Sequence, residues 1–302
     1  MITAGTRLVG VLGYPVEHSL SPAMQNAAFA HLGLDWAYVP LPVAPDCLGD
    51  AVRGLRALGF AGANVTLPHK ERALAFLDDL APEARALGAV NTVVNQGGRL
   101  VGHNTDAAGF LAALAEVGCV PRHAVVLGAG GAARAVVYAL VQAGAAVTVA
   151  NRTPERAAAL LAAVAAAGGR ELSRASAVPA MPASHSAVGV CALDAPDLER
   201  ALARADLLVN TTPVGMWPEV DESPLPSGVV LLSGLTVFDL IYNPLETTLL
   251  RQARACGARS VGGLGMLVHQ GALAFGLWTG LAAPVEVMRQ AALEGLNVRR
   301  EA

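Results

Sequence analysis

The sequence is poor in charged side chains and in aromatic rings. Of its 302 residues, 15% are charged and 4% are aromatic, and the formal net charge is only −3. No run of like charge occurs, which argues against a protein that holds nucleic acid through phosphate contacts. Hydrophobic residues make up 54% of the chain, a share that excludes disorder and allows a large core. With so few rings, that core is expected to consist mainly of Ala, Val and Leu.

Cysteine is also scarce, and its spacing matches no metal site. Cys47, Cys119, Cys191 and Cys256 lie far apart and form no Cys-x-x-Cys pair. They fit neither a disulfide framework nor a zinc site, which predicts reduced thiols in the core of a cytoplasmic protein. The histidines are scattered as well, so we predict no bound metal.

The chain shows no clear membrane anchor, although its mean hydropathy of +0.47 is high. The longest stretch without a formal charge, residues 260–285, is long enough to span a bilayer. It contains His269, Gln270 and six glycines, and a lone membrane span would hold such a polar pair only at high cost. We therefore predict a buried helix here. The start of the chain lacks a basic segment leading into a long apolar one, so no signal peptide is expected.

Short apolar strands alternate with longer helical patterns, which predicts an α/β protein with parallel sheets. A helix predicted at 105–117 ends at Gly118 and is followed by Pro121, so a domain boundary is predicted at 118–122. Residues 168–196 are the least patterned and are predicted to be a loose surface excursion. In the first hundred residues we expect strands near 8–12, 37–41, 62–65 and 90–94, and helices near 22–32, 48–58, 70–77 and 82–87.

A glycine-rich turn lies between a predicted strand, 124–127, and a predicted helix. Gly128, Gly130 and Ala133 match the G-x-G-x-x-A form of the dinucleotide fingerprint. The first glycine permits the tight turn, and the second lets the backbone approach a pyrophosphate at the helix N-terminus. A glycine turn alone also serves plain tight turns, so the flanking elements decide the interpretation. The residues expected to contact the cofactor here are Gly128, Ala129, Gly130, Gly131 and Ala132.

The residues after the second strand of this unit predict which dinucleotide binds. An NAD site usually places Asp or Glu here, on the ribose 2′-hydroxyl. This chain instead has Asn151, Arg152 and Thr153, with Arg156 four residues beyond Arg152. A guanidinium can bind a 2′-phosphate by charge-assisted hydrogen bonds. We therefore predict NADP; two exposed arginines on one helix face are the alternative.

Two serines beside a predicted helix N-terminus form a candidate carboxylate site. Ser19 and Ser21 precede an apolar helix, with Pro22 at its expected first position. Ser21 is a natural N-cap, which leaves Ser19 unexplained. Two hydroxyls next to a positive helix end also suit a carboxylate. Both interpretations stay open for Ser21.

Lys70 is the candidate for proton transfer. It is placed in the first turn of the helix predicted at 70–77, where a cation opposes the helix dipole. A locally unfavourable charge at the C-terminal end of a parallel strand indicates function, because ligands bind outside those ends. The alternative is an ordinary exposed lysine whose charge reaches water.

Polar residues also gather at the start of the helix at 105–117 and inside an apolar strand. Helix capping accounts for only one of Asn104, Thr105 and Asp106. Asn91 lies within the strand, where its amide must bond either neighbouring loops or a polyhydroxy ligand. Together these sets predict a site for a carboxylate and several hydroxyls, with a lysine–aspartate pair beside it.

At this point the chain resembles the shikimate dehydrogenase family over nearly its whole length. Nine motifs in order make coincidence implausible, and they are SLSP at 19–22, NVTLPHK at 64–70, GAVNT at 88–92, GHNTDAAGF at 102–110, VLGAGGAARA at 126–135, NRT at 151–153, NTTPVGM at 210–216, DLIYNPLET at 239–247 and GGLGMLVHQGALAF at 262–275.

The resemblance implies a two-domain α/β fold. An N-terminal substrate-binding and catalytic domain with a mainly parallel sheet, residues 1–118, would be completed by C-terminal helices at about 264–302. A doubly wound, Rossmann-type NADP-binding domain would span 119–263. The uncharged C-terminal stretch would be a helix returning to the first domain.

The resemblance also implies the reaction, which is reversible NADPH-dependent reduction of 3-dehydroshikimate to shikimate in aromatic amino-acid biosynthesis. Lys70 and Asp106 would form the catalytic pair, in which Lys70 protonates the developing alkoxide and Asp106 orients it. Ser19 and Ser21 would hold the substrate carboxylate. Ring substituents would be contacted by Asn64, Thr66, Asn91, Asp106, Tyr242 and Gln270. The cofactor cleft would be lined further by Thr211 within residues 210–216, by Leu240 and by Gly263.

Departures from the family pattern are small. Gln25 stands where a histidine is common, at a position expected to lie behind the substrate contacts. A quinate or aminoshikimate dehydrogenase on the same scaffold is the close alternative, and serine at both 19 and 21 favours shikimate. A non-catalytic sensor of such a ligand is an alternative from another class, but it would be expected to lack Lys70 or Asp106. The expected partners are a small-molecule substrate, neither nucleic acid nor membrane, and at most a second copy in a homodimer.

Overall fold

The computed structural model describes residues 2–167 and 188–301. Within them the strands are Arg7–Gly13 (β1), Trp36–Pro42 (β2), Gly62–Val65 (β3), Asp79–Leu80 (β4), Thr92–Gln96 (β5), Arg99–His103 (β6), His123–Leu127 (β7), Ala146–Asn151 (β8), Val188–Ala192 (β9), Leu207–Asn210 (β10), Thr236–Asp239 (β11) and Arg259–Val261 (β12). The α-helices are Ser21–His31 (α1), Leu48–Ala57 (α2), Pro82–Leu87 (α3), Asp106–Glu116 (α4), Gly131–Gln142 (α5), Pro154–Ala166 (α6), Ala195–Leu202 (α7), Thr248–Ala255 (α8), Leu264–Thr279 (α9) and Val285–Glu301 (α10).

The chain divides into two compact units. The first comprises Met1–Gly109 and Val268–Ala302, and the second comprises Phe110–Leu267. The division falls inside α4 and α9, whereas the sequence pattern had placed it in the loop at 118–122. Side-chain packing explains the difference, because Phe110 already lies against Phe238 of the second unit, with ring centroids 5.2 Å apart.

The first unit is built on a mixed sheet in the order β2-β1-β3-β5-β6-β4. β1 pairs in parallel with β2 and β3, while β5 runs antiparallel to β3 and β6. Its core consists mostly of Val, Leu and Ala side chains, as expected from the composition. The parallel strands β1 and β3 end side by side, and the chain after each of them is therefore placed at one edge of the sheet.

The second unit is an all-parallel sheet in the order β12-β11-β10-β7-β8-β9. The chain proceeds outward from β7 through β8 to β9, then returns to the other side of β7 and proceeds through β10, β11 and β12. This is the doubly wound order that the family resemblance implied, and its switch point lies between β7 and β10. Ligands of such sheets bind where the strand order reverses, at the carboxyl ends of the strands.

Several local predictions are corrected. The helix predicted at 70–77 is a short 3₁₀ helix, Arg72–Phe76, which ends shortly before β4 begins at Asp79. The excursion predicted at 168–196 contains β9, which pairs with β8, and the start of α7; residues 168–187 of it lie outside the described residues. The uncharged stretch at 260–285 contains α9, and no helix of the described residues is long and apolar enough to cross a membrane.

Candidate active site

Lys70 and Asp106 form an ion pair in the first unit. The Lys70 Nζ lies 2.7 Å from Asp106 Oδ2, and the two side chains are 26% and 10% exposed. Lys70 lies in the turn after β3, two residues ahead of the short 3₁₀ helix, and not in the first turn of an α-helix as predicted. Asp106 is the first residue of α4. The pair thus combines a cation that solvent or a ligand can reach with a carboxylate that is almost buried.

The sequence held one further signal for this pair. Lys70 is the only lysine of the chain, and the other twenty of its 21 lysine and arginine residues are arginines. An arginine retains its proton at any physiological pH, whereas a lysine amine can give its proton up and take it back. A single lysine among arginines therefore indicates a position where proton exchange matters.

Asn91 fixes the orientation of Asp106. Its Nδ2 donates to Asp106 Oδ1 at 2.8 Å and to Thr105 Oγ1 at 2.9 Å. Its Oδ1 accepts from the Thr105 backbone N–H at 2.8 Å and from Thr92 Oγ1 at 3.0 Å. Asn91 is buried and immediately precedes β5, whereas the sequence pattern predicted it inside the strand. These four bonds join Asn91 to the start of α4 and to Thr92, and a substrate hydroxyl would have to replace one of them.

The three polar residues at the start of α4 have separate tasks. Asn104 Oδ1 accepts the backbone N–H of Asp106 at 3.0 Å, and its Nδ2 donates to the carbonyl of Ala89 at 3.0 Å. Thr105 bonds Asn91, and Asp106 bonds Lys70. The structure therefore explains why capping alone did not account for the set.

Ser21 is not the helix cap that the sequence suggested. The N-cap of α1 is Leu20, no side chain caps this helix, and Ser21 is its first residue. The backbone N–H of Ser21 donates to Ser19 Oγ at 3.2 Å. Both serines thus lie at the N-terminal end of α1 without a capping role for either.

The amide of Asn64 is held by three neighbours. Its Oδ1 accepts from the Tyr38 hydroxyl at 2.7 Å, and its Nδ2 donates to the carbonyl of Asn91 at 3.0 Å and to Thr92 Oγ1 at 3.1 Å. Hydrogen bonds therefore run without a break from Tyr38 through Asn64, Thr92 and Asn91 to Asp106. Sequence reasoning missed Tyr38, because a ring in the apolar strand β2 is ordinary; its only signal was a hydroxyl that burial obliges to find a partner.

The other predicted residues of the first unit lie near these elements. Thr66 follows β3 at the point where its methyl group closely approaches Gly13 of β1. Gln270 lies on α9, and a Cβ on Gly109 of α4 would come within 2.7 Å of its backbone nitrogen, so only glycine permits this approach. Gln25 donates from Nε2 to the carbonyl of Gly271 at 2.9 Å, tying α1 to α9 beside Gln270.

In the second unit, the glycine turn connects β7 to α5. Gly128 has φ +103°, and a Cβ there would come within 2.8 Å of Thr211 Oγ1. No heavy atom lies within 4 Å of a Cβ built on Gly130 or Gly131, so the space over the start of α5 is open. No side chain of the described residues caps that helix. An open, uncapped helix N-terminus after a tight glycine turn fits a dinucleotide pyrophosphate.

The other predicted cofactor residues lie at the carboxyl ends of neighbouring strands in the same sheet. Asn151 ends β8 and donates from Nδ2 to the carbonyl of Thr153 at 2.8 Å. Arg152 and Arg156 are exposed on either side of the start of α6. Thr211 bonds the carbonyl of Leu127 through both its backbone N–H and its hydroxyl. Gly263 is so close to Leu240 that a Cβ on Gly263 would come within 2.0 Å of the Leu240 carbonyl oxygen. Tyr242, which was predicted as a substrate contact, lies in the loop after β11.

A buried carboxylate that the sequence analysis did not single out orders two of these loops. Asp239 is fully buried at the end of β11. Its Oδ1 accepts from Asn210 Nδ2 at 3.0 Å and from the Ile241 N–H at 3.1 Å, and its Oδ2 accepts from the Thr247 hydroxyl at 2.6 Å. Burial raises the pKa of Asp239, although these three hydrogen bonds oppose the effect.

Asp239 should make the free energy of unfolding depend on pH. Because its folded-state pKa is raised, its contribution to stability is complete below the ordinary aspartate value and is lost as pH rises through the raised value. The expected slope is at most about 1.4 kcal/mol per pH unit in that window. In Asp239→Asn this contribution disappears, so the difference between variant and wild type in urea unfolding should change with pH above about 4. Parallel pH curves for the two proteins would contradict the assignment.

The described residues contain no cluster of three potential metal ligands. All four cysteines are free thiols, as expected, but the prediction that they lie in the core is wrong: Cys47 and Cys256 are exposed, and Cys119 and Cys191 are only half-buried. Cys47 adjoins the start of α2 and Cys256 the end of α8, where the chain is on the surface.

A doubly wound parallel sheet with an open glycine turn, in a chain whose other α/β unit holds a lysine–carboxylate pair, defines a dinucleotide-dependent oxidoreductase. Family profiles agree in detail. The substrate-binding domain of shikimate dehydrogenase matches residues 11–93, shikimate/quinate 5-dehydrogenase matches 113–175, and the C-terminal domain of shikimate 5′-dehydrogenase matches 263–293.

Similarity to individual proteins extends over the full length. The chain is 50% identical to the shikimate dehydrogenase (NADP(+)) of Symbiobacterium thermophilum, covering 96% of this chain and 95% of the relative. It resembles the crystal structure of shikimate 5-dehydrogenase from Thermus thermophilus in complex with NADP(H) and shikimate, with TM-score 0.83, 43% identity and coverage of 96% and 100%. It also resembles quinate dehydrogenase from Corynebacterium glutamicum in complex with NAD, with TM-score 0.83, 34% identity and coverage of 96% and 99%. The chain therefore belongs to the shikimate dehydrogenase family.

Proposed function

We propose that this chain catalyses the reversible NADPH-dependent reduction of 3-dehydroshikimate to shikimate, a step of aromatic amino-acid biosynthesis in the cytoplasm. The observation that supports this most directly is the Lys70–Asp106 pair at 2.7 Å, next to amides suited to a polyhydroxy ligand. In the assignment of domains, the first unit binds the substrate and the second binds NADP.

Lys70 is the general acid of the reduction. Its Nζ donates a proton to the substrate carbonyl oxygen as that oxygen becomes an alkoxide, and it takes the proton back from the hydroxyl in the oxidation. Asp106 accepts from Lys70 through one oxygen and from Asn91 through the other. The carboxylate thereby holds the amine in one place.

The remaining polar residues orient the ring. Ser19 and Ser21, at the start of α1, bind the substrate carboxylate, helped by the positive end of that helix. Asn64 contacts a ring hydroxyl through its oxygen, since both its amide protons are engaged elsewhere. Thr66, Asn91, Tyr242 and Gln270 complete the proposed set of substrate contacts.

NADP fits the open turn of the second unit. Gly128 to Ala132 would hold the pyrophosphate, while Asn151, Arg152, Thr153 and Arg156 would hold the adenosine part with its 2′-phosphate. Thr211, Leu240 and Gly263 would border the nicotinamide. When bound, the reduced cofactor supplies the hydride, and the protein supplies position and electrostatics.

Initial rates of oxidation with shikimate and quinate, each with NADP and NAD, test this function. Turnover confined to shikimate with NADP would agree with the proposal. Comparable turnover of quinate, or with NAD, would move the chain to the broader-specificity quinate dehydrogenases that it also resembles. No turnover with any pair would contradict the proposal and leave a binding protein.

The choice of NADP over NAD should depend on Arg152. In Arg152→Ala, the loss of one charge-assisted contact to the 2′-phosphate should raise KM for NADP about tenfold to a hundredfold. KM for NAD, which lacks this phosphate, should change little. Arg254→Ala removes an exposed arginine of the same unit, paired with Glu246, and controls for the change of charge. An equal rise of KM for both dinucleotides in Arg152→Ala would contradict phosphate recognition.

A further inference from the structure

We propose that Asn210 and Asp239 are positioning residues that act as a pair to hold the nicotinamide end of the cofactor site. This inference rests on the proposed function, in which Thr211, Leu240 and Gly263 border the nicotinamide. The two residues end the neighbouring parallel strands β10 and β11, where they are register partners. Both are completely buried, and the loops that follow them lie at the carboxyl ends of the strands, where such sheets bind their ligands.

The polarity of the pair is fixed by the other partners of Asn210. Its Oδ1 accepts from the backbone N–H of Thr212 at 3.0 Å and from the Thr212 hydroxyl at 2.7 Å. The amide therefore turns its NH₂ group to Asp239, and its Nδ2 donates to Asp239 Oδ1 at 3.0 Å. Turning the amide over would set its oxygen against the carboxylate and its NH₂ against the Thr212 N–H. The order of donor and acceptor in this pair is thus determined.

Asn210 thereby sets the start of the turn after β10. Its oxygen holds Thr212, while Thr211 between them bonds the carbonyl of Leu127 at 3.0 Å through its N–H and at 2.6 Å through its hydroxyl. A Cβ on Gly128 would lie 3.0 Å from the Thr212 methyl group. The turn is therefore seated directly on the glycine turn that is proposed to hold the pyrophosphate.

Asp239 holds the loop after β11 through the same carboxylate. Its Oδ1 also accepts the Ile241 N–H at 3.1 Å, and its Oδ2 accepts the Thr247 hydroxyl at 2.6 Å. A Cβ on Gly215, in the turn after β10, would lie 3.8 Å from the Thr247 Cβ. The carboxylate thus connects both loops proposed to border the nicotinamide. Because it is buried, a contact that is lost or reversed here leaves a polar group unsatisfied.

Reversing the pair provides the test. Asn210→Asp keeps the acceptor for Thr212 but sets a second carboxylate against Asp239, so the pair should separate. Asp239→Asn can keep its oxygen on Asn210 and turn its NH₂ to Thr247, whose hydroxyl can accept as well as donate. In the double variant, the amide at position 239 can donate to the carboxylate at position 210. The pair is then restored in reverse order, at the cost of the contact to Ile241.

Calorimetric binding of NADP and of adenosine 2′,5′-bisphosphate separates the two ends of the cofactor, because the bisphosphate carries the 2′-phosphate but no nicotinamide. In Asn210→Asp, Kd for NADP should rise about tenfold or more, while Kd for the bisphosphate should stay within about twofold. Asp239→Asn should bind NADP within about threefold of wild type. The double variant should bind NADP at least about threefold more tightly than Asn210→Asp.

Two further variants control the measurement. Gln252→Glu adds the same charge on the exposed face of α8, keeps the acceptor for Ser223 and should change neither affinity. Thermal unfolding of every variant verifies the fold. If Asn210→Asp does not fold, Thr212→Val replaces it, because it removes the hydroxyl bonded to Asn210 and should raise Kd for NADP alone by about threefold.

A general structural role of the pair gives a different pattern. Wild-type affinity for NADP in Asn210→Asp, or in Thr212→Val where that variant replaces it, would overturn the inference. So would an equal loss of affinity for both ligands, or a double variant that binds NADP no better than Asn210→Asp. In each of these cases the proposed function stands. Wild-type protein that fails to bind NADP would overturn both.

Discussion

Lys70→Ala is expected to lower kcat by about two to four orders of magnitude in both directions, the usual range for the loss of a positioned acid–base group. The fold should be retained, because the Lys70 side chain is partly exposed and its ion pair with Asp106 is partly open to solvent. KM for NADP should change little, since Lys70 belongs to the unit proposed to bind substrate. Initial rates of shikimate oxidation and of the reverse reduction measure the effect.

Lys70→Arg distinguishes proton transfer from simple charge. Arginine retains a cation next to Asp106 but does not release its proton at assay pH, so this variant should be nearly as slow as Lys70→Ala. Substantial activity in Lys70→Arg would show that only the charge is needed. Near-full turnover in Lys70→Ala would show that the assignment of Lys70 is wrong.

The composition of the chain offers a direct probe of this amine. Because Lys70 is the only lysine, protein labelled with ¹⁵N-lysine has a single side-chain amine signal. Titration of that signal with and without shikimate follows the proton on the proposed catalytic atom without any substitution. A signal that does not respond to shikimate would contradict contact between this amine and the substrate.

Asp106→Asn is expected to lower kcat roughly tenfold to a thousandfold. Asp106 accepts from a donor at each oxygen, from Lys70 Nζ at one and from Asn91 Nδ2 at the other. An amide must therefore place its NH₂ against one of these two donors, whichever way it turns. The amine of Lys70 loses its anionic partner and its fixed position, and both losses reduce proton transfer.

Two comparisons make the Asp106 result decisive. Asp106→Ala removes the carboxylate without introducing a donor, so the asparagine variant should be no faster than the alanine variant. Asp46→Asn, at an exposed aspartate of the same unit, controls for the change of charge. A wild-type rate in Asp106→Asn would show that the Asp106 carboxylate is not needed for catalysis and that the residue serves only to begin α4.

The sequence predicted the second unit better than the first. The order strand, glycine turn, helix, strand at 124–151 is local, so the fingerprint could be assigned from spacing and glycine positions alone. In the first unit, the helix predicted at 70–77 and the cap predicted at Ser21 were wrong. In the structure α1 begins at Ser21 with Leu20 as its N-cap, and residues 72–76 form a 3₁₀ helix. Such details depend on local backbone geometry, which hydrophobic patterning does not specify.

Tyr38 and Asp239 show what pattern reasoning could not reach. Each carries a single polar group in an otherwise apolar strand. A partner of that group lies far along the chain, at Asn64 for the tyrosine hydroxyl and at Asn210 for the carboxylate. A sequence shows that a buried hydroxyl or carboxylate needs a partner, but the partner is chosen by which strands become neighbours.

The sequence by itself determined the chemistry available to this protein: a single lysine, an aspartate at a helix start, two serines before an apolar helix and a glycine turn after a strand. These depend on residue type and short spacing, which a linear pattern contains. Only the tertiary structure decided that Lys70 meets Asp106 at 2.7 Å and that Asn91 and Tyr38 orient their neighbours. Such contacts join residues that are distant in the chain, and sheet order and side-chain packing alone bring them within hydrogen-bonding distance.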